Sequence, residues 1–119
     1  GHHGVVQPDM LKWGGLTGAH AVGRRAVAAG RSYCPHWLGT GIGLLAAAQV
    51  LAAVGGPGML EHDVMENPLR EILAQPFPRV AARENTGTFT LPDTPGLGIE
   101  PDLTAAPWLV THQEHRAAA

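Results

Sequence analysis

The chain has 119 residues, 45% of them apolar and 15% charged, with a net charge of −2 when its histidines are neutral. That balance supports a buried core and argues against disorder. The lack of any Lys/Arg cluster argues against nucleic acid, and the lack of an apolar run of ~18 residues argues against a membrane span.

The single cysteine, Cys34, has no partner within the chain and fits a reducing, cytoplasmic setting. The opening Gly1-His2-His3-Gly4 reads equally as a tag remnant or a native loop.

In chain order, Val5-Val6 is a short β-branched strand ended by Gln7-Pro8-Asp9. Gly14-Gly15 breaks the pattern, and Thr17 offers an N-cap for a helix over 18–29. Val22, Ala26 and Ala29 would line its inner face, and Gly30 stands where a C′ glycine belongs. A second strand over 32–34 ends at Pro35-His36. After the loop 37–41, an Ala-rich helix over 42–54 is apolar on nearly every side, and Gly55-Gly56-Pro57-Gly58 stops it. Met59-Leu60 forms a third strand, ended by Glu61. This βαβαβ order predicts parallel strands with right-handed crossovers.

Beyond Glu61 the character changes. Asn67-Pro68 opens a short helix over 69–73, with an Asn cap and Pro at the first helical position. A hairpin pairs 79–83 with 88–91 around Asn85-Thr86-Gly87, the stretch 92–99 is extended and turn-rich, and the tail from 111 frays. The chain divides into 1–66, the strand–helix units, and 67–119, an irregular segment.

Three polar residues close the three strands: Asp9, His36 and Glu61, spaced 27 and 25 residues apart. Strand ends are where such folds place their chemistry. Each has a plainer reading. Asp9 follows Pro8 as turn residues often do, His36 alone is a structural strand-end histidine, and Glu61 competes with its neighbour Asp63. His2, His3, Asp9 and His62 lack the spacing of a zinc site. Gly39-x-Gly41-x-Gly43 lacks the lysine and spacing of a phosphate loop.

The segments themselves resemble a known family. Residues 7–17 (Gln-Pro-Asp-Met-Leu-Lys-Trp-Gly-Gly-Leu-Thr) look like the sixth-strand region of the mandelate racemase/muconate lactonizing enzyme family of the enolase superfamily. Pro35-His36 with Gly39-Thr40-Gly41-Ile42-Gly43 resembles its seventh strand and helix. Leu60-Glu61-His62-Asp63 with Asn67-Pro68-Leu69-Arg70 resembles its eighth strand and exit. Pro92-Asp93 with 95–100 resembles its closing motif, so the likeness runs over about 5–109.

The resemblance implies a partial (β/α)8 barrel: the last three parallel strands, two intervening helices and an irregular C-terminal segment with a β-hairpin. It implies the mandelate racemase subgroup, whose Asp and His dyad matches Asp9 and His36; no Lys-x-Lys pattern occurs. It implies abstraction of the proton α to a carboxylate, by an acid-sugar dehydratase or a hydroxy-acid racemase. His36 would be the base, Asp9 would hold its ring, and Glu61 in protonated form would donate a hydrogen bond to the enolate. Lys12 and Trp37 would be substrate-adjacent at most. The family's Mg²⁺ is held by acids on the third, fourth and fifth strands, so the expectation is a Mg²⁺-dependent parent whose metal ligands are absent here. The segment itself would then be inactive. Two unpaired sheet edges and an uncovered apolar helix would favour a homo-oligomer or a partner chain.

Overall fold

The computed structural model describes residues 4–74, 87–88 and 90–105. The order is β1 (Val5–Val6), α1 (Gly15–Ala28), β2 (Ser32–Tyr33), α2 (Gly41–Val54), α3 (Pro68–Ile72) and a 3₁₀ turn (Leu103–Ala105). β1 and β2 pair in parallel, Val5 against Ser32 and Val6 against Tyr33. α1 is the crossover between them, as the βαβ pattern predicts. No helix of the described residues is long and apolar enough to cross a membrane.

α1 begins earlier than its sequence suggests. Gly14, at φ 72°, is the N-cap and has no side-chain cap. Its carbonyl accepts from the Gly18 N–H at 2.9 Å. A left-handed Gly14 therefore starts the ladder, and Thr17 lies inside the helix. The C-terminus follows expectation. Arg31 N–H donates to the Ala26 carbonyl and Gly30 N–H to that of Val27, each at 2.9 Å, with Gly30 at φ 69°. This 6→1 and 5→2 pair satisfies two carbonyls that the helix end would otherwise strand. The buried face carries Ala19, Gly23 and Ala26, and Ala29 is exposed.

α2 starts at Gly41, where the Thr40 hydroxyl accepts from the Gly43 N–H at 3.5 Å. Nine of its fourteen residues are buried, because α1 covers one side and α3 another. Tyr33, Ala19, Ala26, Ala46, Ala47, Val50 and Val54 form one cluster with Met10. Small side chains let the helices approach. A Cβ on Gly23 would stand 2.6 Å from Val54 Cγ2, so glycine keeps α1 close to α2. α3 is capped by Asn67, whose Oδ1 accepts from the Leu69 N–H at 3.0 Å, with Pro68 at the start.

The third strand is not formed. Residues 58–61 run beside β2 in the same direction, yet among the described residues no backbone ladder joins them. The Met59 N–H goes instead to the Cys34 sulfur at 3.4 Å. Gly58 lies so close to β2 that an added Cβ would overlap the Tyr33 carbonyl oxygen. The 92–99 stretch is turn-rich, with Gly98 N–H donating to Pro95 at 3.4 Å. The expected strand 79–83, the hairpin it would form and the tail from 111 lie outside the described residues.

Gly58→Ala is expected to lower stability by about 1–3 kcal/mol through overpacking. Gly4→Ala, where a Cβ would meet nothing within 4 Å, should be near neutral. Urea unfolding midpoints of the two variants test this, and equal midpoints would contradict the packing.

Candidate functional site

The site is built where two parallel strands stop. Beyond the ladder, Cys34 N–H donates to the Val6 carbonyl at 3.0 Å and His36 N–H to that of Pro8 at 3.2 Å. Pro8 has no N–H to return, so pairing ends there. Asp9 and His36 thus leave the C-terminal ends of neighbouring strands on the same side of the fold.

Asp9 is bound locally. Its Oδ1 accepts from the Leu11 N–H at 2.9 Å, an Asx-type turn, and its carbonyl accepts from Trp13 N–H at 2.9 Å. Its Oδ2 meets the Lys12 ammonium at 2.6 Å. The carboxylate side chain is 10% exposed and the lysine 66%. Burial pushes the Asp9 carboxyl up. The bond from Lys12, the Leu11 N–H, the Lys12 charge and the nearby His36 outweigh it, and hold it below the ordinary 3.8.

His36 has another partner. Its Nδ1 lies 2.6 Å from Glu61 Oε2, and both side chains are close to 40% exposed. The same oxygen accepts from the Trp37 N–H at 2.9 Å. The ring is paired with Glu61, whereas Asp9 is drawn to the only lysine of the chain, one helical turn away. Glu61 Oε2 acts as an acceptor towards the backbone N–H of Trp37.

Trp37, the residue after His36, is packed inside the fold. Its residue is 2% exposed and its Nε1–H donates to the Thr40 carbonyl at 3.0 Å. The Arg70 guanidinium stands 5.2 Å over its ring and the His62 ring 5.9 Å away. Such a cation over an indole is attracted by the ring's quadrupole. Arg70, itself buried, donates from Nη2 to Asp63 Oδ2 at 2.9 Å and to the Met65 carbonyl at 2.6 Å. Asp63, the rival to Glu61 in the sequence, is thereby turned to Arg70. Sequence reasoning missed this Asp63–Arg70–Trp37 stack. The one available signal was an uncharged helix start followed by a lone arginine at a position facing α2.

A hard cation such as Mg²⁺ takes near-octahedral oxygen ligands. Among the described residues no group of three or more His, Cys, Asp or Glu is placed to hold a metal. Asp9 Oδ2 is held by Lys12, and Glu61 Oε2 by His36 and Trp37. The described residues do not fit Mg²⁺.

Comparison with known proteins adds four findings. Residues 1–106 match the family described as enolase C-terminal domain-like. The chain is 33% identical over 105 residues to D-galactarolactone cycloisomerase of Agrobacterium fabrum, covering 81% of this chain and 26% of that protein. It is 30% identical over 94 residues to arabinonate dehydratase of Saccharolobus solfataricus, covering 79% of this chain and 24% of that protein. A crystal structure of a candidate racemase superposes with a TM-score of 0.72 at 28% identity, covering 88% of this chain and 27% of that one. The chain spans about a quarter of the length of these relatives.

The Asp9–Lys12 pair makes a pH prediction. A carboxyl whose native pKa is depressed contributes stability above its unfolded value, and loses it as pH falls through the native one. Carbon-detected NMR should therefore place the Asp9 midpoint below 3.8, and Lys12→Met should raise it. A midpoint indifferent to Lys12→Met would contradict the pairing.

Proposed function

The chain belongs to the enolase C-terminal domain-like family, and from that membership we propose that it forms the proton-transfer side of an active site that opens the C–H bond α to a carboxylate. The observation that carries the proposal is the placing of His36 and Asp9 at adjacent parallel strand ends, with Glu61 bonded to the His36 ring. Strand C-terminal ends are where barrel enzymes hold reacting groups. The segment is read as the last three strands and two intervening helices of a (β/α)8 barrel.

His36 takes the α proton. The electron pair of the broken C–H bond moves onto the carboxylate, which becomes an enediolate. Imidazole suits this role because it titrates near neutral pH. Lys12, exposed and one turn from Asp9, offers a positive group to the substrate's anionic end. Loss of a β-hydroxyl from the enediolate is dehydration, and return of the proton is isomerisation or racemisation. The names of the two relatives, a dehydratase and a cycloisomerase, favour acid sugars and their lactones as the substrate class. Stabilising the enediolate calls for an electrophile, and no metal-holding group stands among the described residues.

A second reading, a non-catalytic chain stable only as an oligomer or beside a partner, is favoured by one observation. Leu11, Trp13, Leu16, Leu38, Met59 and Val64 are all more than half exposed. Such surface usually meets another surface.

In a chain of the relatives' length carrying this segment, His36→Asn is expected to slow α-proton exchange of aldonates in D₂O by about 10²–10⁴-fold. The 119-residue chain alone should show no exchange above background. Exchange by the short chain, or full exchange by the longer His36→Asn chain, would overturn the proposal.

A further inference from the structure

We infer that Arg70 is a positioning residue: paired with Asp63 and laid over the Trp37 indole, it clamps the segment 37–41 and so sets where His36 stands. The catalytic meaning of this rests on the reading of His36 as the base; the clamp itself does not.

Three observations lead there. First, α3 and its cap grip that segment at three places. The Arg70 guanidinium stands 5.2 Å over the Trp37 ring. Asn67 Nδ2 donates to the Gly39 carbonyl at 3.1 Å. A Cβ added to Gly41 would overlap the Arg70 carbonyl oxygen, so the two backbones meet there directly. Inside the segment, Trp37 Nε1–H donates to the Thr40 carbonyl at 3.0 Å and ties its two ends together.

Second, the ion pair is a poor choice for stability alone. The Arg70 and Asp63 side chains are 9% and 13% exposed, so both charges have left most of their water. Attraction within a buried pair is largely offset by that loss, and apolar side chains of similar volume often serve stability as well. The Arg70 Nε–H adds to the cost, because it is buried and has no acceptor among the described residues. What an apolar side chain or a lysine cannot supply is a planar group with donors in fixed directions. Arg70 Nη2 reaches Asp63 Oδ2 at 2.9 Å and the Met65 carbonyl at 2.6 Å while its charge lies over the indole.

Third, His36 is bonded directly to the clamped residue. Its own N–H is held by the Pro8 carbonyl at 3.2 Å, and Trp37, 2% exposed, fixes the backbone on the other side. A drift of Trp37 carries His36 with it. Reacting groups tolerate little of this, since a misplacement of ~1 Å costs about 10²-fold in rate.

The test is hydrogen exchange of the Trp37 indole N–H in the full chain, assigned among the three tryptophans by the peak lost in Trp37→Phe. The variant combines Asp63→Leu with Arg70→Met, so that neither charge is left without its partner. The expected result is a urea midpoint unchanged or raised, with indole exchange faster by about tenfold or more. The Gly30 amide, bonded at the far end of α1, should exchange as before. Arg70→Lys, which keeps the charge and loses the plane, should speed indole exchange likewise. In a chain of the relatives' length, the double variant should lower kcat for α-proton exchange of aldonates by about 10–10²-fold with little change in KM. Unchanged indole exchange in either variant would overturn the inference. So would a double variant that fails to fold, or whose midpoint falls while Gly30 and Trp37 speed up together, because the pair would then serve stability at large. A loosened Trp37 with undiminished turnover would sink the catalytic reading alone.

Discussion

One carboxylate oxygen ties this structure together at its functional end. Glu61 Oε2 is bonded to the side chain of His36 and to the backbone of Trp37. It joins the segment after α2 to the end of β2 without a backbone ladder. Among the described residues the Met59 N–H on the Cys34 sulfur, the close approach of Gly58 to Tyr33 and the packing of Leu60 on the core complete that join. A sulfur acceptor is weak, so the Glu61 bonds set where 58–61 ends and where His36 points. The helices supply the opposing constraint. α2, buried on most sides between α1 and α3, fixes the distance that residues 55–58 must cover before reaching β2.

The buried side of the same loop explains why the oxygen is a dependable anchor. Trp37 is one residue from His36, and its ring is near both the Arg70 guanidinium and the His62 ring. Arg70 is neutralised by Asp63 and by a carbonyl of the same loop. A buried guanidinium is tolerable only when so paired. The turn from residue 61 to α3 is thus folded around a charge pair, and Asn67 closes it by donating to the Gly39 carbonyl at 3.1 Å. Polar groups that look like extra active-site acids in the sequence serve here to hold the loop that carries His36.

Much of this was legible in the chain. Asn67-Pro68 and Gly30 announced a helix start and a helix end through local backbone chemistry, and the structure uses both. The Ala-rich run gave α2 within a residue, because a helix apolar on all sides must be buried on all sides. Spacing placed Asp9 and His36 beyond the ends of β1 and β2, whereas Glu61 follows a stretch that forms no strand. What spacing could not give was the pairing among them. Lys12 follows Asp9 by three residues and captures it locally, which leaves Glu61, 25 residues beyond His36, as the ring's partner. Thr17 was misread because a left-handed Gly14 starts α1 without a side-chain cap. Met59-Leu60 has strand chemistry, yet its N–H is drawn to a thiol, an acceptor no propensity scale weighs.

The central claim is that His36 and Glu61 act as one unit while Asp9 belongs with Lys12. A double-mutant cycle on stability tests it most directly, using His36→Ala and Glu61→Ala, and in parallel His36→Ala and Asp9→Ala, each followed by urea unfolding. The account predicts a coupling of about 0.5–1 kcal/mol for His36 with Glu61, as for a partly exposed pair, and a smaller one for His36 with Asp9. Coupling of His36 to Asp9 alone, with none to Glu61, would contradict it.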